Sequence, residues 1–186
     1  MHHIRPMTKD ALLSAFGGES MAHMRYLIYS DIAEREGFPN VARLFRAVAH
    51  AERVHATNHY NVLKGYREEA KVSAGTPIGP GSTSHNLELA IAGEEYEVKE
   101  MYPAYMELAR LQEISQAERS FKWAYEAERI HAELYRKAKE SVDRGEDLKI
   151  EGKVWICQVC GHTYVGEVPP ERCPVCQAPR ERYVGF

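Results

Sequence analysis

Two copies of one five-residue word constrain this chain more than any other feature: Ala51-Glu-Arg-Val-His55 and Ala127-Glu-Arg-Ile-His131. Each contains a Glu-x-x-His, and residues three apart on an α-helix lie on one face. Glu52 and His55 therefore aim at the same volume, as do Glu128 and His131. The surroundings repeat as well, with Ala15-Phe-Gly-Gly-Glu19 upstream of the first word and Ala90-Ile-Ala-Gly-Glu94 upstream of the second. The interval from Glu19 to Glu94 is 75 residues and that from His55 to His131 is 76, a slip of one residue across the repeat. The chain is a duplicated helix pair, each half offering one Glu and then a Glu-x-x-His.

Four helices that turn those six groups inward make a site for two metal ions, the arrangement of ferritin-like di-iron bundles. Carboxylates suit a hard ion of variable valence and can bridge two of them, while one imidazole per ion tunes affinity and potential. A single Glu-x-x-His reads as a solvated stripe. Two copies in register with two further Glu do not. The symmetry breaks at Glu97, three residues after Glu94 and so on its face, because the matching position in the first half is Ala22.

The first helix is expected from Thr8, a suitable N-cap, to about Glu36, with Glu19 set inside an apolar stripe of Leu12, Ala15, Ala22, Tyr26 and Ala33. A carboxylate in such a stripe is costly to bury without a partner. Gly37 supplies a left-handed C′ position and Pro39 opens the second helix. That helix lines Glu52 and His55 up with Val41, Leu44, Phe45, Val48 and Val62. Residues 73–84, rich in Gly, Pro and Ser, break all periodicity and form the long crossover expected between the halves of such a bundle. The third helix runs from about His85 to Leu111 with a kink at Pro103, and the fourth starts at a Ser115/Glu118 capping box and fades by Asp143. These boundaries define an all-α four-helix bundle over residues 1–147, with a polar linker and a small metal-knuckle unit over residues 148–186.

With 24 Lys and Arg against 27 Asp and Glu, the net charge of −3 gives no reason to invoke nucleic acid or an anionic membrane. No apolar run approaches the ~18 residues of a spanning helix, and the first residues lack the apolar stretch of a signal peptide. A cytoplasmic protein is expected. All four cysteines lie in two Cys-x-x-Cys pairs, Cys157/Cys160 and Cys173/Cys176. In a reducing compartment that spacing means a tetrahedral S4 site before it means disulfides, and zinc and iron both fit it. Trp155, Tyr164 and Tyr183 are the expected apolar core of this short unit.

The Gly18-Glu19 of the first helix, both Glu-x-x-His words, Glu94-Glu-Tyr-Glu97 with Met101-Tyr-Pro103, and the terminal cysteine knuckles together resemble the rubrerythrins, in order and over nearly the whole chain. The resemblance, shared with the closely similar nigerythrins, implies a non-haem iron peroxidase that reduces hydrogen peroxide to water and protects against oxidative stress. It implies two irons held by Glu19, Glu52, His55, Glu94, Glu97, Glu128 and His131. A third is then held in a rubredoxin-like domain by Cys157, Cys160, Cys173 and Cys176. Electrons are expected from a rubredoxin or an NAD(P)H-dependent reductase, in a homodimer where the S4 iron of one subunit serves the iron pair of the other. Tyr26 and Tyr102 match tyrosines whose hydroxyls hold ligand carboxylates or donate to bound peroxide, and Glu97 matches a carboxylate that exchanges with the His of the first word on reduction. His162 and Gln177 depart from the usual Tyr and Gly beside the cysteines. A ferroxidase or iron-storage bundle and a zinc-ribbon structural adaptor are the rival readings. The cysteine pairs argue against the first, and the colour of an Fe–S4 centre separates the second.

Overall fold

The structure, a computed structural model, describes residues 4–186; the N-terminal reading above rests in part on residues 1–3, which lie outside the described residues. Five helices, α1 (Pro6–Arg35), α2 (Pro39–Val62), α3 (Thr83–Tyr96), α4 (Tyr102–Leu111) and α5 (Ser115–Asp143), form four bundle rods, because α3 and α4 are one rod joined by a π-turn, Glu97–Met101. α1 packs on α2 and the α3/α4 rod on α5, and the two pairs meet through α2 and α5. Gly37, at φ +88°, ends α1 as expected. The expected kink at Pro103 takes the form of the π-turn: Tyr102 N–H reaches back to Glu97 O, and Pro103, which has no N–H to donate, lies in the first turn of α4.

Two expected caps are not made. Thr8 lies in the first turn of α1, buried, and its N–H and hydroxyl both donate to Gln112 Oε1 (3.2 and 2.7 Å). α5 has no side-chain cap, since Glu118 instead accepts from Arg110 at 2.9 Å. In both places a side chain from a neighbouring rod overrode the local signal.

After α5 the chain is not a free polar linker. Asp147 caps α2, its carboxylate accepting from the N–H groups of Asn40 (2.8 Å) and Val41 (3.2 Å). Leu148 is buried. The chain then returns along α2 as β1 (Lys153–Cys157), the centre of an antiparallel sheet ordered β2–β1–β3 with β2 (Thr163–Gly166) and β3 (Tyr183–Gly185). Strand alternation turns Val154 and Ile156 to one face, and that face joins the bundle core of Val41, Leu44, Phe45, Val48 and Ala51. The tail's apolar packing is therefore borrowed from the bundle. Tyr183 is buried as expected, beside the cysteines, but Tyr164 is 39% exposed and Trp155 only partly buried.

This shared core packs the two parts against one another. Ile156→Ala, at a position with no exposed surface, should lower the stability of the helical transition by about 2–5 kcal/mol. Urea unfolding followed by helix circular dichroism checks this. An unchanged helical transition would mean that the tail contributes nothing to the bundle.

Candidate metal centre

Six groups converge at the middle of the bundle, all buried: Glu19 from α1, Glu52 and His55 from α2, Glu94 from α3, and Glu128 and His131 from α5. One ligand atom each from Glu19, Glu52, His55 and Glu128 lies within 4.8 Å of the others, and the same holds for Glu52, Glu94, Glu128 and His131. Glu52 and Glu128 belong to both groups. The geometry is thus two adjacent four-donor sets sharing two carboxylates. His55 Nδ1 lies 2.9 Å from Glu52 and 2.8 Å from Glu128, His131 Nδ1 lies 2.6 Å from Glu128, and the two rings are 6.1 Å apart.

These groups satisfy one another only in part, through His55 with Glu52 and His131 with Glu128. Glu19 Oε2, Glu52 Oε1 and Glu94 Oε2 are buried without a hydrogen-bond partner, and Glu128 Oε1 has only the approach of His55 Nδ1, which Glu52 shares. Burial, then Glu52, pushes the Glu19 carboxyl well above the usual range, and burial with Glu52 and Glu128 does the same to Glu94. Burial would raise Glu128 too, but the flanking His55 and His131 outweigh it and hold Glu128 low. Burial would lower His55, and Glu128 instead lifts it to about 9. Orphaned carboxylate oxygens aimed at common points, with imidazole nitrogens beside them, fit a pair of divalent cations and little else.

Two tyrosines cross the centre. Tyr26 of α1 donates to Glu94 Oε1 on α3 (2.6 Å), and Tyr102 of α4 donates to Glu19 Oε1 on α1. Burial, then the adjacent carboxylates, raises both phenols well above their usual range, so they stay protonated donors. The crossing also locates the inserted residue. Glu19 to Glu94 spans 75 residues but Tyr26 to Tyr102 spans 76, so the extra residue enters between Glu94 and Tyr102, where the π-turn lies. Glu97 opens that turn. It is half-buried and raised by burial and then by Glu128 and Glu94, yet it belongs to neither four-donor set.

His59 is fully buried one turn past His55. Its Nε2 faces Tyr102 O at 3.1 Å and its Nδ1 faces Ser120 Oγ at 2.8 Å. Because Tyr102 donates to Glu19, Nε2–H donates to Tyr102 and Nδ1 accepts from Ser120, so every donor in the chain points toward Glu19. Nothing in the sequence marked Ser120.

In the tail, all four sulfurs fall within 4.8 Å of one another, with Cys157–Cys176 at 3.7 Å and Cys160–Cys173 at 3.5 Å. A tetrahedron of thiolates ~2.3 Å from a metal has edges of about 3.8 Å, and a disulfide would need ~2.05 Å. Each knuckle ends on a left-handed residue, Gly161 at φ +82° and Gln177 at +63°. The Gln177 side chain is exposed, so a non-glycine is tolerated there. His162 is buried and pairs with Tyr183 OH at 2.8 Å.

The S4 unit lies on the metal centre of its own chain. A Cβ at Gly161 would come within 2.0 Å of His55 Nε2. Thr163 Oγ1 lies 2.7 Å from His131 Nε2, and Asn58 donates to Val159 O at 2.9 Å. The family resemblance implies a tail serving the other subunit. Here the Asp147 cap and the buried Leu148 return the tail along its own α2.

A buried pair of four-donor carboxylate–imidazole sets in a helical bundle, with an S4 knuckle beside it, defines a di-metal bundle coupled to a rubredoxin-like centre. The family model described as Rubrerythrin matches residues 10–139, and that described as "Rubrerythrin, rubredoxin-like domain" matches 155–184. The chain is 49% identical over 180 residues to Rubrerythrin-2 of Clostridium acetobutylicum, covering 97% of each chain. It is 33% identical to nigerythrin of Nitratidesulfovibrio vulgaris, covering 96% of this chain and 86% of that one. A nigerythrin structure described as fully reduced and all ferrous superposes with a TM-score of 0.83 at 31% identity, over 96% of this chain and 86% of that one. The chain belongs to the rubrerythrin family. Its cofactors are accordingly an iron pair in the bundle and one iron at the four cysteines.

Burial lowers His59 to about 3. Between its ordinary value of 6.5 and that value the unfolded chain holds a proton that the folded chain lacks. Its contribution is therefore complete above pH 6.5 and shrinks as pH falls, by about 2 kcal/mol at pH 5. Urea unfolding of metal-free protein at pH 7.5 and pH 5 should show His59→Asn losing about that much less than the parent. Equal losses would contradict a neutral, buried His59.

Proposed function

We propose that the protein is a peroxidase that reduces hydrogen peroxide to water, with Glu19, Glu52, His55, Glu94, Glu128 and His131 holding the iron pair. Glu97 is a further carboxylate available to it, and Cys157, Cys160, Cys173 and Cys176 hold the relay iron. The overall change takes two electrons and two protons into one peroxide, breaks the O–O bond and yields two waters. When bound, the iron pair supplies the two electrons together. Glu52 and Glu128, shared between the donor sets, hold the two positions at a fixed spacing. Tyr26 and Tyr102 orient Glu94 and Glu19 through their hydroxyls and keep a proton beside the reacting volume. Behind Tyr102, His59 and Ser120 hold donors that all point inward.

The observation that carries this reading is the S4 unit seated against His55 and His131. Its four sulfurs leave no open position for substrate, so it can pass electrons and do nothing else to peroxide. Residues 1–147 act as the reaction centre and 148–186 as the relay, fed by a rubredoxin or an NAD(P)H-dependent reductase. A ferroxidase or storage bundle has no use for such an attachment. The protein works as a cytoplasmic homodimer in this reading. No helix among the described residues is long and apolar enough to cross a membrane.

Anaerobic stopped-flow mixing tests the assignment. The fully reduced protein should be oxidised by about one peroxide per iron pair, faster than by oxygen at equal concentration. Rapid oxidation by oxygen with peroxide left unconsumed would favour the ferroxidase instead.

A further inference from the structure

The outward edges of both histidines meet the tail of the same chain. With Nδ1 of each imidazole turned to the carboxylates, Nε2 is the edge left over. In His131 that edge faces Thr163 Oγ1 at 2.7 Å, and the Thr163 hydroxyl in turn faces Gly161 O at 3.4 Å. In His55 it faces the Gly161 backbone, so closely that no side chain fits at that position. His55 Nε2 has no hydrogen-bond partner, so what Gly161 supplies there is exclusion of water. His131, Thr163 and Gly161 are all buried, so water does not take over either role.

A histidine that ligates through Nδ1 must carry its proton on Nε2, and a partner accepting that proton fixes both tautomer and ring orientation. For His131 the acceptor is a hydroxyl on β2, 32 residues further along the chain. We infer that Thr163 is a positioning residue for the iron pair, and that the S4 tail, beyond supplying electrons, completes the bundle's metal site by bracing His131 and shielding His55. The inference rests on the reading of His55 and His131 as ligands. It makes the bundle alone an incomplete site, whereas the sequence, with its polar connector, gave no reason to doubt that helices by themselves would hold two irons.

Zinc separates bracing from redox chemistry, because it binds without turnover and leaves the protein diamagnetic. In the zinc-loaded full-length protein, nitrogen-15 NMR should show the His131 Nε2–H as a slowly exchanging proton. Chelator competition should give three zinc per chain. Thr163→Val keeps the shape and removes the acceptor, so that proton should exchange fast and affinity for the bundle zinc should fall roughly 10- to 100-fold, with the S4 zinc unaffected. Thr163→Ser should restore both. Gly161→Ala, which forces the knuckle off His55, should weaken the bundle zinc as well. If Thr163→Val binds within twofold of the parent with His131 Nε2–H still protected, the bracing role is wrong while the ligand assignment stands. If the parent binds zinc only at the four cysteines, the ligand assignment fails and the inference falls with it.

Discussion

Burying four carboxylates and two imidazoles in the centre of an apolar bundle is the constraint on which the rest of the structure depends. Like charges at this separation in a site shut off from water destabilise the fold unless cations balance them. Glu19, Glu52 and Glu94 each leave an oxygen without a partner, so hydrogen bonds within the protein do not close the balance. The fold instead holds the donors ready for the metal. Their rods are braced by apolar packing at both ends, with Tyr26, Tyr29, Phe45 and Tyr135 on one side and Tyr102, Phe121 and Leu12 on the other. The ligand positions are fixed by a core that does not itself need the ions to be apolar and well packed.

The tail belongs to that core. Val154 and Ile156 fill space between helices while Gly161 and Thr163 reach the histidine edges, so one short antiparallel sheet carries a structural face and a functional rim. This placement explains the unequal chemistry of the two knuckles. Both need a left-handed residue after the second cysteine, but at 161 the space is taken by His55 and only glycine fits, while at 177 the side chain points to solvent and glutamine suffices.

Much of the site was legible because helical spacing is a local rule and the duplication applied it twice. Glu19, Glu52, His55, Glu94, Glu128 and His131 all meet where the i, i+3 pattern and the repeat put them, and the cysteine knuckles form the S4 cluster expected of their spacing. Even the π-turn left a trace, as the change from a 75- to a 76-residue interval. What the sequence could not carry were contacts made across the fold. Thr8 and Ser115 have the right chemistry for caps, but Gln112 and Arg110 arrive from neighbouring rods and decide otherwise. The residues between α5 and β1 are polar, yet Asp147 caps another helix and Leu148 is buried. Thr163 carries no periodic signal at all, and His59, though one turn past His55 on the same face, gives no sign of Tyr102 and Ser120, since those partners are set by how the sheet and the helices dock.

The central claim is that the buried carboxylates are balanced by the iron pair. Calorimetric unfolding tests it most directly, with iron at the four cysteines held constant and the bundle pair either present or stripped. A ligand that binds only the folded state adds stability by mass action, so the midpoint should rise by several degrees or more when the pair is present, with a single cooperative transition in both cases. The same midpoint with and without the pair would show that the six groups are stable without cations, and would contradict the account.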